Sequence, residues 1–337
     1  MFFITLFLSG VLFSPFKDSF KDFANHPPIS WGKVVSATIQ KNEDTNSDSQ
    51  NAVLQLNGIE LNKLPEIPRP KADDKKNNLI VWAKKAVMID ADTGKVLYDE
   101  KMLEDHHIAS ITKTMTALVL MDKVKDWDEN VKISPYAASA GGATVHFLSG
   151  EKFKAIDLLK AMLMNSDNTA ARALAEHFAG GKEEDFAKMM NEKAKELHLK
   201  NSFFVDASGL NDDDSHSCAY DVAQIARKIL DYPMILQIMQ TPSHIQIVGN
   251  DEFQRVHQVG NTDVLLGQYK GILGSKTGFT YNAGYCLMMM REGPNQKKVI
   301  GVVLDAGDKE RWIEMQKMLD WAFDRFSWTV FPNEKEK

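Results

Sequence analysis

The stretch Ala109-Ser110-Ile111-Thr112-Lys113-Thr114-Met115-Thr116 opens an apolar run, Ala117-Leu118-Val119-Leu120-Met121, and the chain is best read outward from it. A helix started here carries positions i and i+3 on one face, so the Ser110 hydroxyl and the Lys113 amine can meet. Serine alone is a poor nucleophile and needs a base beside it. A lysine serves as that base once burial or a neighbouring cation keeps it neutral. S-x-x-K also arises by chance in many helices, so the pair alone decides nothing.

Two further motifs stand where such a site would need partners. Ser166-Asp167-Asn168 follows the apolar run Leu158-Leu159-Lys160-Ala161-Met162-Leu163-Met164, which places it at a helix break. Lys276-Thr277-Gly278 lies in a glycine-rich strand pattern over 271–280. S-x-x-K, S-D-N and K-T-G, in this order, form the set shared by class A β-lactamases and penicillin-binding proteins. A phosphate-binding loop is excluded at 271–277, because that motif needs glycine directly before the lysine and Ser275 stands there.

With these residues the chain resembles the low-molecular-mass penicillin-binding proteins, the D-alanyl-D-alanine carboxypeptidases, over roughly residues 78–326. Asp90-Ala91-Asp92-Thr93-Gly94-Lys95-Val96-Leu97 looks like the family's opening hairpin. Leu199-Lys200-Asn201-Ser202-Phe203-Phe204 with Ser208-Gly209-Leu210 looks like its middle signature. Gly274-Ser275-Lys276-Thr277-Gly278-Phe279-Thr280 with Ala283-Gly284-Tyr285 looks like its C-terminal strand pair. His107-Ile108 departs from the proline the family often carries before Ala109-Ser110. Members with a C-terminal β-rich domain continue well past the closing helix, so the chain looks like a single-domain member, closer in plan to the D,D-endopeptidase branch.

The resemblance implies roles. Ser110 would attack the carbonyl of the penultimate D-alanine of a peptidoglycan stem peptide, and Lys113 would take its proton, its pKa lowered with help from the Lys276 ammonium. Ser166 would relay a proton to the leaving amine. Asn168 would orient Lys113 and hold the substrate amide. Lys276 and Thr277 would bind the terminal carboxylate or its amide neighbour, and Gly278 would let the strand approach the substrate closely. The backbone N–H groups of Ser110 and Phe279 would form the oxyanion hole. Arg311, at the start of the last helix, is a further candidate for the carboxylate, against the alternative of a solvated helix charge. β-Lactams would acylate the same serine. No cofactor or metal is expected.

Composition agrees with an enzyme domain. The 337 residues are 44% apolar, enough for a core, and the net charge of −6 argues against nucleic acid as the main partner. Cys218 and Cys286 are too few for a disulfide scaffold or a zinc site; Cys286 reads as a small buried hydrophobe, and pairing of the two stays open. The histidines show no metal motif, and His106, His107 and His216 read as structural.

Residues 1–21 carry an apolar stretch, 2–13, that reads as an export signal or N-terminal anchor, although it lacks basic residues before it. Its length falls short of a comfortable membrane span. Residues 22–78 have linker chemistry, with Pro27-Pro28, a polar run over 41–51 and Leu64-Pro65-Glu66-Ile67-Pro68-Arg69-Pro70. The catalytic domain is expected over 79–328, with a tail over 329–337, on the extracytoplasmic side.

Within it the pattern predicts strand, turn, strand over 86–98, and helices over 110–124, 155–178 (broken near Asn165), 184–197 and 220–230. Strands follow over 244–248, 271–280, 284–291 and 299–305. An amphipathic helix over 310–326 closes the domain, with Trp312, Met315, Leu319, Ala322 and Phe323 on one face. The expected fold is therefore α+β: a mixed, mainly antiparallel sheet flanked by helices with an inserted helical lobe, of β-lactamase/transpeptidase type by the resemblance.

Three functions compete with the carboxypeptidase. A D,D-endopeptidase cleaving crosslinks uses the same chemistry with a wider pocket beyond the scissile bond. A class A β-lactamase needs a glutamate for deacylation in an E-x-x-L-N pattern, and Glu196-Leu197-His198-Leu199-Lys200-Asn201 has the wrong spacing. An inactive wall-binding relative has no need of an intact Ser–Lys pair.

Overall fold

A computed structural model describes residues 55–56, 59–60, 70–73, 79–211 and 214–328. The chain divides into two units, Met1–Glu66 and Ile67–Lys337. The first contributes one described feature, the antiparallel pair Gln55–Leu56 with Ile59–Glu60. The apolar stretch expected to direct export, most of the expected linker and the tail lie outside the described residues.

In the second unit, five strands form one sheet: β1 (Lys85–Asp90), β2 (Val96–Glu100), β3 (Ile272–Thr280), β4 (Gly284–Glu292) and β5 (Lys298–Ala306), in the order β3-β4-β5-β1-β2. Every pairing in it is antiparallel, which narrows the mixed sheet expected from the pattern. Within this sheet the first strand in sequence is thus held by the last, with Ile300 opposite Ile89.

All six residues of β1 are buried, because the sheet is covered on both faces. Val87 and Ile89 join the core under the helical lobe, while Ala86 and Met88 join a second core. The same alternation splits Met288 and Met290 from Leu287 and Met289 on β4. Burial of each such side chain contributes about 1.5–3 kcal/mol.

The second core is closed by the last helix, α7, whose Met315, Met318, Leu319 and Ala322 are fully buried. The other helices are α1 (Lys113–Lys123), α2 (Ala155–Met164), α3 (Asn168–Phe178), α4 (Glu183–Glu196), α5 (Ala219–Ile229) and α6 (Pro233–Met239), and α7 spans Glu310–Arg325. Helix α1 touches α2, α3, α4 and α5, and its first eight residues are all buried. A helix surrounded in this way is apolar all round, so no amphipathic stripe marks it.

The break expected near Asn165 falls at Ser166, whose φ of 62° is left-handed; Asp167 then caps α3 by accepting from the Ala170 N–H at 2.7 Å. Four features escaped the pattern: the short helix Pro135–Ala138, α6, the short pair Asn130–Lys132 with Lys152–Lys154, and Val256–Val259, which pairs with Ile245–Val248. Lys71–Ala72 pairs with Phe326–Ser327, so the folded unit is tied together ahead of the boundary expected at Leu79. Among the described residues no helix is long and apolar enough to cross a membrane.

Candidate active site

A 3-10 turn over Ala109–Thr112 carries Ser110 into α1. Two glycines press on this turn. A Cβ on Gly209 would lie 2.0 Å from the Ala109 carbonyl oxygen, and one on Gly278 would lie 2.7 Å from the Ile108 carbonyl oxygen and 3.3 Å from the Ser110 nitrogen. Gly278 therefore lets β3 pack directly on the nucleophile's backbone. Held between these segments, Ala109 adopts a φ of 48°, a strained value for a residue with a Cβ.

Lys113 is fully buried and its Nζ has three oxygen neighbours: Ser110 Oγ at 2.8 Å, Asn168 Oδ1 at 2.6 Å and the Ser208 carbonyl at 2.7 Å. A neutral amine has two N–H groups and one lone pair. The amide and peptide oxygens can only accept, so they take the two N–H groups and leave the lone pair for the Ser110 hydroxyl. Burial lowers the Lys113 pKa to about 7, against the pull of Asp206, Asp167 and Glu183. Of the two causes the sequence allowed, removal from water is thus the leading one.

Lys276 is equally buried and reaches Ser166 Oγ and the Thr277 carbonyl, both at 2.9 Å. Burial first, then Lys113 and Arg311, hold its pKa well below the usual lysine range. Ser166 accordingly stands as the link to Lys276. Asn168 uses one amide N–H on the Gly141 carbonyl at 2.7 Å, so it anchors the 141–145 loop as well as orienting Lys113, and the other N–H is the one a substrate can use. Thr277 Oγ1 lies 2.9 Å from Thr262 Oγ1. Phe279 is half-exposed, its ring stacked 4.3 Å from Tyr285.

Arg311 is not a solvated helix charge: its side chain is 13% exposed, it lies over Tyr285 at 4.8 Å, and it pairs with Asp308 at 3.1 Å. Its Nε is buried without a hydrogen-bond partner.

Sequence reasoning missed the support beneath Lys113. Asp206 Oδ1 accepts from Ser208 N, Gly209 N and the Ser208 hydroxyl at 2.6–2.8 Å, and so presents the Ser208 carbonyl. The signal was there in Asp206-Ala207-Ser208-Gly209, an aspartate poised to bond the backbone after it. His106 and His107 bond the Ala283 and Ser215 carbonyls at 2.9 and 3.0 Å, in keeping with the structural reading. Both cysteines are free and buried, and burial pushes the Cys218 thiol up to about 12.

A family model described as D-alanyl-D-alanine carboxypeptidase matches residues 72–308. The D-alanyl-D-alanine carboxypeptidase DacF of Bacillus subtilis is 38% identical over 263 residues, 76% of this chain and 66% of its own length. The D-alanyl-D-alanine endopeptidase of Escherichia coli is 33% identical over 245 residues, 69% of this chain and 78% of its own.

Penicillin-binding protein D2 of Listeria monocytogenes, solved in its cefotaxime-bound form, superposes with a TM-score of 0.61 at 30% identity, over 74% of this chain and all of that one. The fold is accordingly the serine β-lactamase-like fold of the penicillin-binding proteins. Matched across most of its described residues, with the three motifs meeting in one buried site, the chain belongs to the D-alanyl-D-alanine carboxypeptidase family.

Proposed function

We propose that the protein is a serine-type D-alanyl-D-alanine carboxypeptidase that removes the terminal D-alanine from peptidoglycan stem pentapeptides. One observation carries the reading. The Lys113 amine lies 2.8 Å from the Ser110 hydroxyl with its pKa lowered to about 7, while Lys276 lies beyond it with no anion among its charged neighbours. The first arrangement makes a nucleophile, and the second asks for a substrate carboxylate.

Ser110 Oγ attacks the penultimate D-alanine carbonyl as its proton passes to Lys113 Nζ. The developing oxyanion is met by the N–H groups of Ser110 and Phe279. As the C–N bond breaks, the D-alanine nitrogen takes a proton delivered through Ser166. Water then gives a proton to Lys113, attacks the ester and releases Ser110. Lys276, Thr277 and Arg311 would hold the terminal carboxylate. β-Lactams would stop the cycle at the ester, which makes them inhibitors of the same serine.

The substrate places the enzyme on the extracytoplasmic side, and the apolar stretch over 2–13 would carry it there or anchor it. A second reading, endopeptidase cleavage of D,D-crosslinks, draws support from the Escherichia coli relative. Chromatography with mass detection after incubation with a pentapeptide monomer and a D,D-crosslinked dimer separates the two, with Ser110→Ala as control. Loss of one alanine from the monomer is expected. Splitting of the dimer with the monomer untouched would replace the carboxypeptidase by the endopeptidase.

A further inference from the structure

The Ser208 carbonyl that faces Lys113 is held by a second group besides Asp206, a buried carboxylate with no part in the reaction above. Glu183 opens α4 and is 3% exposed. Its Oε1 accepts the Ala207 N–H at 2.9 Å, and its Oε2 accepts the Tyr136 hydroxyl at 2.7 Å. Arg172 approaches the same oxygen at 3.6 Å and lies 4.8 Å over the Tyr136 ring. The Ala207 carbonyl accepts from the Thr116 hydroxyl at 2.7 Å, one turn beyond Lys113 on α1. Both backbone groups of Ala207 are thereby fixed, and with them the oxygen that follows.

Such a tie would be only structural if its charge were silent at Lys113. It is not silent. After Asp206 and Asp167, Glu183 is the third anion that pulls the amine back towards ammonium against the effect of burial, and Arg172 opposes it. Lys276 faces Lys113 from β3, while Tyr136, Asp206 and Arg172 face Glu183 itself. Burial and the bond to Glu183 push Tyr136 up to about 12, so it remains the donor; burial raises the Glu183 carboxyl too, while the Ala207 N–H, the Tyr136 hydroxyl and Arg172 favour its anion.

We propose that Glu183 is a positioning residue for acylation: it seats the Ser208 carbonyl that orients Lys113, and its charge is one of those that tune how tightly that amine holds its proton. The inference rests on the Ser110–Lys113 reading above. It leads to an unusual expectation. Removing a carboxylate from the neighbourhood of the base makes the enzyme better at low pH, because the amine then holds its proton less tightly.

The test is the second-order rate of acylation by a fluorescent penicillin across roughly pH 5–9, a range that spans the lysine's titration. In the wild type the rate should fall on the acid side of about 7. Glu183→Gln should move that limb down by about 0.5–1 unit, so that acylation below it is about three- to tenfold faster relative to the plateau. Thr116→Val, which loosens Ala207 without changing charge, should lower the plateau and leave the limb in place.

A limb unmoved in Glu183→Gln, with the rate reduced alike at every pH, would overturn the proposal. Tyr136→Phe keeps the Ala207 bond but weakens the support of the anion, and should shift the limb the same way by less. If Glu183→Gln does not fold, an unmoved limb in Tyr136→Phe decides against the proposal. A wild type that is not acylated at all would instead sink the Ser–Lys reading on which it stands.

Discussion

Two lysines, one from each end of the fold, are both withdrawn from water, and their surroundings divide the labour between them. Lys113 on α1 has three oxygens around its amine and three carboxylates in its neighbourhood. Lys276 on β3 has one hydroxyl, one carbonyl and two cations as its charged neighbours. Burial lowers both, but at Lys113 the protein's own anions offset it in part and leave a group that can gain and lose a proton near neutrality. At Lys276 the offset is missing, and a bound carboxylate would supply it. Burial alone assigns no role to a lysine; the sign of its neighbours does.

The sharpest way to break this division is to remove one amine at a time. Lys113→Ala should slow acylation by roughly 10²–10⁴-fold, the range for a lost general base, for any substrate. A variant still acylated by penicillin at the wild-type rate would end the assignment.

Lys276→Met should cost about tenfold to a hundredfold in kcat/KM, the scale of a charge-assisted hydrogen bond. The loss should be concentrated in substrates with a free terminal carboxylate. Comparing a D-alanyl-D-alanine peptide with its C-terminal amide tests this, and equal losses for both would contradict the carboxylate role.

The pH dependence gives a gentler test. Ammonium at Lys113 cannot accept a proton, so acylation should rise with pH and level off above about 7, falling about tenfold per unit below it. The smallest effect is expected at Thr262→Val. Losing the partner of Thr277 at 2.9 Å should lower kcat/KM by about two- to tenfold, mostly through KM, which steady-state kinetics would resolve.

Much of this site was legible because its parts are local. Ser110 and Lys113 are three residues apart on one helix face, and their 2.8 Å contact follows from helical spacing. Ser166 sits at a helix junction where the polar triplet interrupts an apolar run, and Lys276 lies inside a strand that the β-pattern delimits. The Ser208 carbonyl was not legible, since a backbone oxygen has no letter of its own.

Glu183 looked like any acidic residue in the first turn of a helix, and only the tertiary packing on Ala207 sets it apart. The close packing of Gly278 on Ile108 and Ser110 was not legible either, because that nearness to β3 is non-local. The strand order escaped for the same reason: β1 and β5 are joined through register pairs that no window of sequence contains.

That last pairing has a consequence for how the chain comes into being. Contacts such as Ile89 with Ile300 have large sequence separation, and closing them late is the slow part of assembly. During synthesis the hairpin of β1 with β2 emerges long before β5, and until β5 arrives one edge of β1 offers unpaired backbone groups beside the apolar side chains of Ala86, Val87, Met88 and Ile89. A ribosome stalled before Lys298 would therefore hold a chain that has every residue of its active site except Arg311 and yet no sheet to assemble it on. Such a chain is a client for holding factors rather than an early enzyme.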